Sequence, residues 1–226
     1  MDSSKILDII FFNTGDFAVL CLSVTVSLCL FNFKKISTPF RRLCYFLIWN
    51  LFIEIFARVF SYSGMNNLPL LHLYTLGEFV LFSWFYKSLL KTNELFQKRY
   101  WVFVFVFSVL IVLNSIFLQN IYGFNTFAKT VVQVIIISYA VLYFYNLTEN
   151  QSISPSIEKV LRLINSAIIV YYSGSLFIFM CGQVSFGKSD LYQMFWAFNA
   201  VLNLIFQLLV LWGIWKIIYK KTPLSS

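Results

Sequence analysis

The stretch "YWVFVFVFSVLIVLN", residues 100–114, decides the fold. Phe, Val and Ile all favour strands, so a β-barrel reading has to be weighed first. A membrane barrel strand is short, about 9–11 residues, and alternates apolar with polar positions. Here no polar residue appears between Trp101 and Phe107, so there is no polar face to line a barrel interior. An apolar run of this kind reads as a helix in lipid, which needs about 20 residues to cross the hydrocarbon core.

Working outward, six further runs have the same character. The expected spans are 14–33, 42–63, 69–90, 100–119, 124–147, 157–181 and 190–218. The predicted fold is an all-α, seven-transmembrane-helix bundle in which residues 1–226 form one domain. The composition agrees: 60% hydrophobic, 20% aromatic and only 12% charged is more apolar surface than a water-soluble chain of 226 residues can cover. Gly64 and Pro69 bracket a turn, Gly123 precedes the fifth span, and "SISPS" and "GQVSFGKSD" separate the last three. The segment "KILDIIFF" before the first span either lies in the interface or extends the first helix.

The net charge of +8 does not point to nucleic acid, because the basic residues sit in loops rather than along a polar face. Lys34, Lys35, Arg41 and Arg42 share one loop, and Lys87, Lys91, Lys98 and Arg99 share the next loop on that side. Lys159 and Arg162 follow, and Lys216, Lys220 and Lys221 close the chain. The opposite side holds only Lys5 and Lys188, with Asp2, Asp8, Asp16 and Asp190. Thirteen against two places the N-terminus outside and the C-terminus in the cytoplasm. The cytoplasmic membrane is the expected location. The N-terminus lacks the pattern of a cleaved signal and is expected to be retained. The sequon "NLT" at 146–148 falls on the cytoplasmic side and reads as accidental. The four cysteines form no metal or redox motif and read as packing residues.

Polar groups within the spans are the candidate site. Asn50, Glu54 and Arg58 recur every fourth residue in "NLFIEIFAR", which puts them on one face of the second helix. A charge facing lipid near the bilayer centre costs about 2.5–3.5 kcal/mol, so that face is expected to point into the bundle. The third span adds His72, Thr75 and Glu78, and the fifth adds Lys129 and Gln133. The sixth carries Asn165 and Tyr172, and the seventh a stripe of Tyr192, Trp196, Asn199, Asn203 and Gln207. Two carboxylates, Glu54 and Glu78, face two cations, Arg58 and Lys129, which suits mutual neutralisation in one outward-biased pocket. Interhelical hydrogen bonding alone is the plainer reading of the Asn and Gln residues.

These residues exclude several chemistries. Microbial rhodopsins share the helix count, but their retinal needs a lysine midway along the seventh helix, where this chain reads "FNAVLNLIFQ". Ceramidase-like hydrolases hold zinc through several histidines, and this chain has one. PQ-loop sugar transporters need a Pro-Gln pair inside a span, which is absent here. No cofactor, metal or nucleic acid is expected. Two classes fit what remains. The first is a membrane sensor or binding module for a small polar or amphipathic ligand, which would need a separate cytoplasmic signalling partner because the tail is short. The second is a small proton- or cation-coupled transporter or channel subunit, with Gly77 and Gly174 as candidate helix breaks. A metal-free intramembrane enzyme ranks third, since no nucleophile motif accompanies the carboxylates.

Overall fold

The computed structural model describes residues 3–149, 155–182 and 189–219, with side chains over 13–147, 155–180 and 193–219. Cys181, Tyr192, Lys188, Lys220, Lys221 and most of the loops "SISPS" and "GQVSFGKSD" fall outside those described side chains. Among the described residues there is no strand. Seven α-helices follow one another: α1 (Ser3–Phe31), α2 (Thr38–Tyr62), α3 (Leu68–Leu89), α4 (Glu94–Leu113), α5 (Thr126–Glu149), α6 (Pro155–Gly182) and α7 (Ser189–Tyr219). Each holds a stretch long and apolar enough to cross a membrane, so the chain is a multi-pass integral membrane protein. The N-terminal "KILDIIFF" is continuous with the first span, since α1 runs unbroken from Ser3.

The helices group into two compact units, one of residues 36–151 and one of residues 1–35 with 152–226. In the first, α3 packs against α2, α4 and α5. In the second, α7 packs against both α1 and α6.

The turns of the first unit follow from local chemistry. Gly64, at φ +69°, ends α2 in the left-handed conformation, and Met65 N–H reaches back to Phe60 O at 2.9 Å. Pro69 then starts α3, where a missing N–H costs nothing. At the other end of α3, the Gln97 amide donates to the Lys87 and Leu90 carbonyls at 3.0 Å each, and Asn93 caps α4 by accepting from Phe96 N–H at 2.9 Å. This is the basic end of the unit. Lys87 Nζ lies 4.3 Å from the Tyr100 ring centre and 4.2 Å from that of Trp101, and Arg42 donates to Trp84 O at 2.8 Å.

α4 bears out the reading of residues 100–114. Tyr100, Val104 and Ile111 face inward, while Trp101, Val102, Phe105 and Val109 are exposed, as a helix with one protein-facing stripe in lipid requires. Its last turn widens into a π-helical turn at Asn114–Leu118, closed by Gln119 N–H on Asn114 O at 2.8 Å.

Two expectations change. Gly77 and Gly174 do not break their spans, because α3 and α6 are continuous through them. A Cβ at Gly77 would overlap the Trp49 indole, and one at Gly174 would overlap Leu202. Both glycines serve close helix approach. Cys29 and Cys44 are fully buried, and Cys21 is a free thiol.

Candidate functional site

Glu78 lies midway along α3, on the face that also carries His72, Thr75 and Phe79, because spacings of three and four return to one side of a helix. Lys129 lies in the first turn of α5, which packs directly on α3. The two meet: Lys129 Nζ is 2.6 Å from Glu78 Oε2, with Glu78 wholly buried and Lys129 2% exposed. Nζ also sits 4.5 Å from the centre of the Tyr74 ring, one turn before Glu78. Either ion alone would be untenable in this setting, and pairing is what permits both to be there.

Toward the end of the unit opposite the basic loops, α3, the π-helical turn and the start of α5 converge on a polar cluster. His72, 5% exposed, uses both ring nitrogens: Nδ1 is 2.8 Å from Ser115 Oγ and Nε2 is 3.2 Å from Gly123 O. A carbonyl only accepts, so Nε2 carries a proton. Asn114 Nδ2 donates to Gln119 Oε1 and to Asn125 Oδ1, each at 3.0 Å. Gln119 in turn donates to Phe124 O at 3.2 Å and accepts from Phe127 N–H at 3.1 Å. Asn66, before α3, donates to Tyr122 O at 3.1 Å. The loop 119–125 is therefore held by side chains from three segments.

The remaining expected residues sit as follows. In α2, Asn50 is buried but Glu54 and Arg58 are only half-buried, and Phe52, Ile55, Phe56 and Val59 between them are exposed. That face is thus less enclosed toward the end of the helix than its spacing implied. Gln133, one turn beyond Lys129 on α5, is fully buried. Tyr172, Asn199 and Asn203 belong to the other unit. There Tyr172 is buried beside Phe206, and Asn203 accepts from Gln207 at 3.4 Å. Asn165 donates its amide to the Leu161 carbonyl one turn back, at 2.8 Å, a bond within α6.

Ser115, Asn114, Gln119 and Asn125 were not among the sequence candidates. Their signal was the density of amides in "NSIFLQNIYGFNTF", which at a span end reads as an ordinary loop. Among the described residues, no three His, Cys, Asp or Glu gather as metal ligands would. No family model matches the chain, and neither a curated protein nor a solved structure matches it.

Proposed function

We propose that this protein is a membrane-embedded binding module, a sensor for a small polar or amphipathic molecule, with its site around Glu78 and Lys129. The observation that carries the reading is the buried ion pair between α3 and α5. An ammonium offers three donors and a carboxylate several acceptor sites, so the pair can hold a molecule bearing both kinds of group. Intramembrane ionisable residues mark sites more often than they serve as mere scaffolding. Lys129 Nζ lies 2.6 Å from Glu78 Oε2, and α3 runs unbroken past the pair. The unbroken helix favours binding over a transport cycle, which in most folds uses interrupted helices. The excess of basic residues in the loops at the other end supports an outward-facing polar cluster, in the cytoplasmic membrane.

Native mass spectrometry of the detergent-solubilised protein tests this. A small molecule is expected to accompany the native chain and to be lost from Glu78→Gln. A second arm uses liposomes with an interior pH dye. Proton flux driven by a solute gradient, present in the native protein and abolished in Glu78→Gln, would replace the sensor reading with a transporter.

A further inference from the structure

We infer that the N-terminus of α5 binds a small oxyanion, a carboxylate or a phosphate, through the side-chain amide of Asn125. The inference deepens the binding-module reading and rests on it, naming the chemistry of the ligand.

Asn125 immediately precedes α5 and is wholly buried, and among the described residues its Nδ2 has no hydrogen-bond partner. The oxygen and nitrogen of an amide are easily exchanged, so the first question is which atom is left over. Backbone groups answer it. Phe127 N–H can only donate, so the Gln119 atom facing it is Oε1; Phe124 O can only accept, so the other is Nε2. The Asn114 atom facing Gln119 Oε1 must therefore be nitrogen, and its second proton goes to Asn125. The Asn125 atom receiving that proton is oxygen. The group left over is a donor, and the ligand must bring an acceptor.

The surroundings favour a charged acceptor. With its oxygen drawn to Asn114, Asn125 does not cap the first turn. The first N–H groups of a helix have no intrahelical acceptor. Phe127 N–H is taken by Gln119 and Lys129 N–H by Asn125 O, and this first turn is the positive end of the helix dipole. Lys129 adds an ammonium one turn further on, compensated by Glu78. The nearest amides thus present donors with no carboxylate of their own. Thr126 is also the first residue of its span, so this site lies at the membrane edge, where either a dissolved anion or a lipid phosphate reaches it. Access requires the loop 119–125 to yield, and its ties to Asn66 and His72 are the bonds that would open.

The test uses the full chain in a nonionic, lipid-free detergent. Acetate and inorganic phosphate are titrated while thermal unfolding is followed by tryptophan fluorescence, with acetamide as the neutral counterpart. A saturable rise in unfolding temperature is expected with at least one anion and not with acetamide. Asn125→Asp keeps the acceptor for Asn114 but replaces the donor with a negative charge, and should weaken the anion at least about tenfold. Asn125→Gln, which retains a donor, should keep part of the effect and guards against a variant that merely misfolds. The same titration in zwitterionic nanodiscs separates sources: a shift already saturated there identifies a lipid headgroup as the natural occupant. No saturable shift with either anion, an equal shift with acetamide, or an unchanged affinity in Asn125→Asp would overturn the proposal and leave a trapped water on Asn125. If a co-purified ligand is lost from Glu78→Gln but retained by Asn125→Asp, the oxyanion site fails while the binding module stands. Solute-driven proton flux fails the module instead.

Discussion

Removing Lys129 takes from the wholly buried Glu78 the cation that lies 2.6 Å away. Truncating one partner of a buried pair costs about 3–5 kcal/mol, chiefly through the charge left behind. Lys129→Met is therefore expected to lower the stability of the detergent-solubilised protein by about that amount. The double variant Glu78→Gln with Lys129→Met should be distinctly more stable than Lys129→Met alone, because no uncompensated ion remains. Equilibrium unfolding across the four-member cycle gives the coupling, and additive losses would show that the two groups do not act together. The sequence placed both residues inside the membrane, because an ionisable group in an apolar run is visible by itself. It left the partner open. Arg58 is one turn from Glu54 and offers a pairing along the same helix, whereas Glu78 and Lys129 are 51 positions apart.

Among elements, the packing of α2 on α3 turns on Gly77. Glycine beside an intramembrane carboxylate invites reading as a hinge, yet α3 does not bend into a break there, and the Trp49 indole occupies the space a side chain would need. Gly77→Ala is expected to destabilise the protein by about 1–3 kcal/mol through overpacking. In a Trp49→Leu background the same substitution should be close to neutral. Thermal unfolding of the four variants checks this, and a hinge role would show instead as a loss that Trp49→Leu does not relieve. Periodicity along one helix cannot distinguish these roles, because the overlapping group comes from another helix. The π-helical turn at the end of α4 was equally hidden: "NSIFLQN" carries no glycine or proline to announce it.

At the scale of the whole molecule, orientation is the property on which function depends most. The polar cluster and the basic loops lie at opposite ends of the α2–α5 unit, so the side that faces the cytoplasm decides which compartment the site samples. In a chain with its native cysteines removed, Met65→Cys is expected to react with a membrane-impermeant maleimide on intact cells. Thr92→Cys should react only after permeabilisation. Both positions are exposed, so failure to label reports sidedness rather than burial. The reverse pattern would put the site on the cytoplasmic side.

The sequence by itself determined the class of protein, the number and approximate limits of the spans, and which ionisable groups lie within them. Those features follow from the cost of placing polar atoms in hydrocarbon, a cost each residue meets independently of its distant neighbours. Only the tertiary structure decided that Glu78 is matched to Lys129, that Gly77 and Gly174 admit neighbouring side chains, and that Asn125 is left with an unused donor. Each depends on separations between segments remote in sequence. A helical repeat states which face a residue occupies; it does not state which helix stands opposite.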